Sequence, residues 1–192
     1  MTMKKSGPYE EAAVCFSALV TPIGRLFVGM TKVGVSDVSI GEVSESHYRR
    51  KLLARVGSVR KDHAALREVI RQLRAYFDGA LAEFALPIDL GTVTPFTSDV
   101  LHEARKVDHG QLTTYGEIAR RLGRPQAFRA VGGALGRNPI PIIVPCHRVI
   151  ARGGGLGGFT GGLAIKRALL RLEGHAIPES GGSLFEGRAG GP

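Results

Sequence analysis

The segment Asn138-Pro-Ile-Pro-Ile-Ile-Val-Pro-Cys-His-Arg-Val-Ile150 limits what this chain can fold into more than any other stretch. Pro139, Pro141 and Pro145 each lack a backbone N–H and fix φ, so this apolar run cannot be a long helix. It reads as a stiff, extended or turned segment that delivers one thiol, Cys146, to a defined place. His147 and Arg148 follow it, and nearby positive charge lowers a thiol's pKa, which would activate a nucleophile. The same residues also suit plain packing, because free cysteine is among the most buried residue types and neighbours in sequence often point apart. Adjacency alone does not choose between the two.

The charge distribution narrows the choice. The net charge is +9. Between Thr113 and Leu172 lie ten basic residues, Arg120, Arg121, Arg124, Arg129, Arg137, Arg148, Arg152, Lys166, Arg167 and Arg171, against the single acidic Glu117. The remainder therefore sums to about zero, and a neutral half joined to a basic half points to a polyanion, nucleic acid ahead of a merely solvated face. A length of 192 residues allows one large or two small domains. No apolar run is long enough to span a bilayer, and no secretory segment follows Met1 to Pro8, so the expected location is the cytoplasm, or the nucleus in a eukaryote. Cys15 and Cys146 allow at most one disulfide, and a reduced compartment leaves both free.

Patterning divides the chain. Val14–Val20, Arg25–Met30 and Val33–Ile40 read as strands of an antiparallel meander, with Cys15 structural inside the first. Leu66, Val69, Ile70, Leu73, Tyr76 and Phe77 make an amphipathic helix from His63 to Phe77 that should cover one face of the sheet. Gly91–Pro95 reads as a linker. Beyond it come a helix from about Phe96 to Val107, a capping box at Thr114 and Glu117, and, after Gly123 and Pro125, a helix from about Gln126 to Gly136. The last pair has helix-turn-helix form. Its second helix carries one charge, Arg129, among small residues, which suits close approach in a minor groove better than base reading in a major groove. Residues 153–162 hold seven glycines and permit backbone to come close to a ligand. A helix resumes from Leu163 to Leu172. The expected organisation is an N-terminal α/β domain over 1–91 with a frayed start, a second domain over 92–175, and a disordered tail over 176–192.

On these segments the chain resembles the methylated-DNA–protein cysteine methyltransferases, the O6-alkylguanine-DNA alkyltransferases. The resemblance rests on Thr114-Tyr-Gly116, Arg129-Ala-Val-Gly132, Asn138-Pro139, Pro145-Cys-His-Arg-Val-Ile150, Leu156-Gly-Gly-Phe-Thr-Gly-Gly162 and Leu169 to Glu173, in matching order and spacing. The N-terminal half matches more weakly, through Thr21-Pro-Ile-Gly24 and Tyr76-Phe77. The resemblance implies an α+β fold, with a small RNase H-like sheet-plus-helix domain followed by a mainly helical, winged-helix-like DNA-binding domain. It implies a protein that flips O6-alkylguanine out of double-stranded DNA, bound through the minor groove, and moves the alkyl group irreversibly to Cys146.

By the same resemblance, Glu173 orients His147, which takes the Cys146 proton through a water. Tyr115 donates to the leaving base, backbone groups near Val149 and Thr160 hold the guanine edge, and Asn138 braces the loop. Arg129 fills the vacated space, with Thr114, Ala127, Ala130 and Gly132 on the DNA face. The transfer implies no metal and no organic cofactor, and the protein is expected to be a monomer. Cys15, His47 and His63 are too few for the structural zinc of some relatives.

Leu101, Asp108-His109, Phe159 and Phe128 depart from the common pattern. Phe159 replaces a tyrosine, and Phe128 is larger than the usual residue before the arginine. His102, His109 and His175 read as surface or packing residues. The alternatives are a non-catalytic relative that only recognises alkylated DNA, and a winged-helix transcription regulator.

Overall fold

The structure is a computed structural model and describes residues 13–41 and 44–177. Expectations for residues 1–11 and for most of the tail lie outside that range. Three strands, β1 (Val14–Thr21), β2 (Gly24–Met30) and β3 (Val35–Ile40), form the meander. Gly24 (φ +103°) opens the turn into β2.

Two further elements complete the sheet. Helix α1 (Glu45–Val56) begins at Ser44, whose side chain accepts from His47 N–H, and ends at Gly57 in the left-handed region. Strand β4 (Val59–Lys61) then lies parallel to β1, giving the order β3-β2-β1-β4. Helix α1 has little apolar patterning, because only Tyr48 and Leu52 are buried.

Alternation along the strands fills both faces. Val14, Phe16 and Phe27 pack with Tyr48 and Leu52 on one side. Leu26, Val28 and Val38 pack on the other with Val69, Ile70 and Leu73 of α2 (Arg67–Phe77). That helix starts later than the His63 expected, because Asp62 Oδ1 accepts from Ala65 N–H and holds a separate turn ahead of it.

The second half comprises α3 (Pro95–Arg105), β5 (Thr113–Thr114), α4 (Tyr115–Arg121), α5 (Phe128–Gly136), β6 (Val149–Ile150) and α6 (Leu163–Leu172). Thr94 caps α3, with Pro95 in its first turn. Two local expectations need correction. Thr114 caps α4 by accepting from Glu117 N–H, but the Glu117 carboxylate pairs with Arg120 and Arg121, so the reciprocal arm of a capping box is not made. Pro125 lies in a turn ahead of α5, which starts at Phe128 rather than Gln126. The described chain also stays packed to Ile177, which is buried, although a disordered tail was expected from residue 176.

One apolar cluster runs through both halves, joining Leu73 to Leu101, Ile140 and Leu169. The backbone crosses the seam as well: Val38 N–H donates to the Pro139 carbonyl at 2.7 Å, and Arg105 donates to the Leu86 carbonyl at 2.9 Å. Among the described residues no helix is long and apolar enough to cross a membrane.

The proline run is a set of tight turns. Ile140 N–H donates to Asn138 Oδ1, and Val144 N–H to the Ile140 carbonyl. Ile142 sits at φ +77°, the only positive φ outside glycine among the described residues. A β-branched residue there costs about 1–3 kcal/mol and persists only where its surroundings over-determine it. The fully buried Ile142 side chain and the flanking prolines supply that constraint.

Candidate active site

The turns end in a short 3-10 helix, Cys146–Arg148, which sends three successive side chains in different directions. Cys146 is 8% exposed and forms part of the wall of two cavities. The larger, of 530 Å³, is bounded by Tyr115, Arg129, Gly132, Leu135, Phe159 and Thr160. The smaller, of 180 Å³, lies toward β3, between Val38 and Pro141. Asn138 Nδ2 donates to the thiol at 3.1 Å and to the Val144 carbonyl at 2.9 Å, which ties Cys146 to the proline turns.

His147 is fully buried, and its Nε2 lies 2.9 Å from Glu173 Oε1. Glu173 also accepts from Tyr76 Oη at 2.8 Å and from Arg148 Nε and Nη2, each at 2.8 Å. Burial pushes the Glu173 carboxyl up, but the bonds from His147 and Arg148 more than offset this and hold it well below the usual carboxylate range. An ionised carboxylate only accepts, so His147 carries its proton on Nε2. Burial also drives the imidazole below its ordinary pKa, against the pull of Glu173, and so keeps it neutral. Nδ1 is left as a lone pair, buried and without a hydrogen-bond partner within the protein, and therefore able to act as a base.

Arg148 does not touch the thiol. Its guanidinium points away, to Glu173 and to the Val107 carbonyl at 2.6 Å. The expectation that it lowers the Cys146 pKa is therefore corrected. Burial pushes the thiol up, and the Asn138 bond and the Lys166 charge pull it only part-way back. Cys146 thus rests as a thiol. Its alkylation by iodoacetamide, in a Cys15→Ser background, should be slow at pH 7 and still accelerating above about pH 8.5, where an ordinary thiol levels off. A fast rate, flat from pH 6 to 8, would show a resting thiolate instead.

Lys166 lies on the buried side of α6, and its ammonium donates to the carbonyls of Val149 (2.6 Å), Leu156 (2.5 Å) and Gly158 (3.4 Å). Burial lowers its pKa to about 8, against the attraction of Cys146. It clamps the glycine loop to the floor of the site. The loop in turn approaches Tyr115 closely. A Cβ on Gly157 (φ +67°) would lie 2.5 Å from the Tyr115 hydroxyl, so a side chain there would displace the phenol. Tyr115 donates to the Gly158 carbonyl at 3.4 Å, and burial raises its pKa, so it keeps its proton at neutral pH.

The expected residues fall into two sets. Tyr115, Arg129, Gly132, Cys146 and Thr160 surround the larger cavity. Asn138 donates to the thiol, and His147, next to Cys146 in the chain, makes a buried pair with Glu173. Thr160 Oγ1 donates to the Gly136 carbonyl at 2.6 Å, which fastens the loop to α5. The Val149 side chain is buried, and its carbonyl accepts from Lys166. Thr114, Ala127 and Ala130 do not line the cavity: Thr114 caps α4, Ala127 precedes α5 and Ala130 is exposed on it.

The charge reading also sharpens. Arg148 and Lys166 are interior, whereas Arg120, Arg121, Arg124, Arg129, Arg137, Arg152 and Arg171 are exposed.

Sequence reasoning missed Tyr76, Lys166 and the role of Arg148. A signal existed only for Lys166, a charge at helical spacing from the buried Leu169 and Leu170.

Comparison with known proteins decides the family. Residues 16–90 match the ribonuclease-like domain, and residues 95–175 the DNA binding domain, of 6-O-methylguanine DNA methyltransferase. A methylated-DNA–protein-cysteine methyltransferase of Shigella flexneri is 41% identical over 168 residues, covering 83% of this chain and 95% of that protein. The chain belongs to the methylated-DNA–protein-cysteine methyltransferase family.

A family member from Mycobacterium leprae is 48% identical over 116 residues, 60% of this chain and 70% of that protein. Among solved structures, Mycobacterium tuberculosis OGT in complex with DNA aligns with a TM-score of 0.72 at 38% identity, covering 86% of this chain and 96% of that one. O6-methylguanine-DNA methyltransferase from Pyrococcus kodakaraensis aligns with a TM-score of 0.61 at 27% identity, covering 84% and 99%. The methyltransferase fold accounts for both halves of the chain, the ribonuclease-like sheet and the helical DNA-binding part.

Proposed function

We propose that this chain repairs DNA by moving an alkyl group from O6 of a flipped guanine to Cys146, once per molecule. The observation that carries this reading is the buried chain from Arg148 and Tyr76 through Glu173 to His147, the residue that follows a thiol in the wall of a cavity edged by Arg129. A buried base oriented by a carboxylate is the arrangement that activates a nucleophile.

The step balances without a co-reactant. His147 Nδ1 takes the Cys146 proton by way of a water. The thiolate attacks the alkyl carbon, a C–S bond forms, and the C–O6 bond breaks with its electrons passing to the guanine. Tyr115 gives that base a proton, and the proton held by His147 restores the balance. The products are a thioether and guanine, and the thioether is stable, so the protein is spent. A thiol that is protonated at rest suits a reagent used once, because it is spared from stray electrophiles until a base fills the cavity.

The exposed charge supports a DNA partner. Arg129 on α5, followed by the small Ala130 and Gly132, enters the minor groove and occupies the place of the extruded nucleotide. One chain carries the side chains that the step requires, which supports a monomer as the working form.

The deciding measurement is intact mass after mixing with duplex DNA containing one O6-methylguanine. Methyl in place of the thiol hydrogen, mapped to Cys146, is the expected result. Tight lesion binding with unchanged mass would make the chain a recognition protein instead.

A further inference from the structure

Around Arg129 the outer surface of α5 is built of alanine and glycine, with one exception. Phe128, the first residue of the helix, is 44% exposed, one of four large apolar side chains so exposed among the described residues. Its ring stands at the rim of the cavity that holds Cys146. The Arg129 guanidinium lies over that ring, 5.7 Å from its centroid. Two planar groups therefore rest against each other at the mouth of the site, and the exposed Arg124 and Arg137 stand in the same segment of chain to meet phosphates.

We propose that Phe128 is a second wedge, a positioning residue that stacks on the base bordering the gap opened by the extruded guanine. This rests on the repair reading above. Extruding one nucleotide removes a stacking partner from its neighbours, and one guanidinium replaces only part of that contact. An aromatic ring stacks on any base face, and apolar side chains can hold a base step open. Before DNA arrives, the cation over the ring keeps both groups together at the rim. On insertion Arg129 leaves the ring, and the ring moves from water onto the exposed base.

The test compares the wild-type chain, Phe128→Ala, Arg129→Ala and the double variant in two single-turnover reactions. One is methyl uptake from duplex O6-methylguanine, the other benzyl uptake from free O6-benzylguanine. Phe128→Ala should slow the duplex reaction about ten-fold more than the free-base reaction, the scale of one lost base–aromatic stack. Phe128→Trp should restore the duplex rate. In the Arg129→Ala background, Phe128→Ala should slow the duplex reaction further, because the ring has its own base to hold.

Equal losses on the two substrates would make Phe128 a wall of the base pocket and overturn the wedge. No further loss in the Arg129→Ala background would make it only a rest for the arginine, and would overturn it too. If the wild-type chain takes no alkyl group from either substrate, the repair reading falls, and the wedge with it. Wild-type uptake with either of the preceding outcomes sinks the wedge alone.

Discussion

Cys146→Ala is expected to abolish alkyl uptake while leaving binding to lesion-containing duplex intact. The sulfur is the only group at this position that can form a stable bond to carbon. Within the protein the thiol serves mainly as an acceptor for Asn138, which keeps its bond to the Val144 carbonyl when the sulfur is removed. Arg129 and the small residues of α5 lie on separate backbone and are untouched. Intact mass and fluorescence anisotropy on the same duplex check both halves of the expectation. Methyl uptake by the alanine variant, on Cys15 or elsewhere, would remove Cys146 from the centre of the reaction.

The second large effect lies on stability. Arg148→Ala should destabilise the fold by about 3–5 kcal/mol, the range for breaking a buried ion pair by deleting one partner. Arg148 uses Nε and Nη2 on Glu173 and Nη1 on the Val107 carbonyl, so its whole fork is engaged. Deleting it leaves a carboxylate inside the protein with one fewer compensating charge, and leaves the Val107 carbonyl without this donor. For a chain of this size the loss corresponds to a fall in Tm of roughly 6–20 °C. Lysine should not rescue it, because a single ammonium cannot reproduce the planar, three-point contact. Removing Glu173 and Arg148 together should cost less than the sum of the separate losses. A melting curve for Arg148→Ala within 2 °C or so of the wild type would show that the pair is already well hydrated, at odds with its burial.

What could be read in advance follows the physics of each element. The strands and α2 carry strong alternation or a full apolar stripe, and these patterns survive in any surroundings. Helix α1 buries only Tyr48 and Leu52 and is recognisable chiefly by its caps. The thiol was legible because three prolines forbid the alternative to a turn. The role of Arg148 was not, because the sequence places it two residues from Cys146 whereas the short 3-10 helix sends it to the other side. Tyr76 lay still further out of reach. Its phenol meets a carboxylate 97 positions along the chain, and no local pattern records such a meeting. Lys166 shows the limit of counting charge, since a cation in the interior adds to the total without facing a partner.

The Tyr76 bond to Glu173 has a consequence for how this protein can change over time. The first half of the chain supplies a donor to the buried carboxylate that pairs with His147. A graft joining the helical half to a foreign first half would lose that donor unless the newcomer placed a hydroxyl at the same point. The two halves are therefore coupled at the site by a hydrogen bond as well as by the apolar cluster they share.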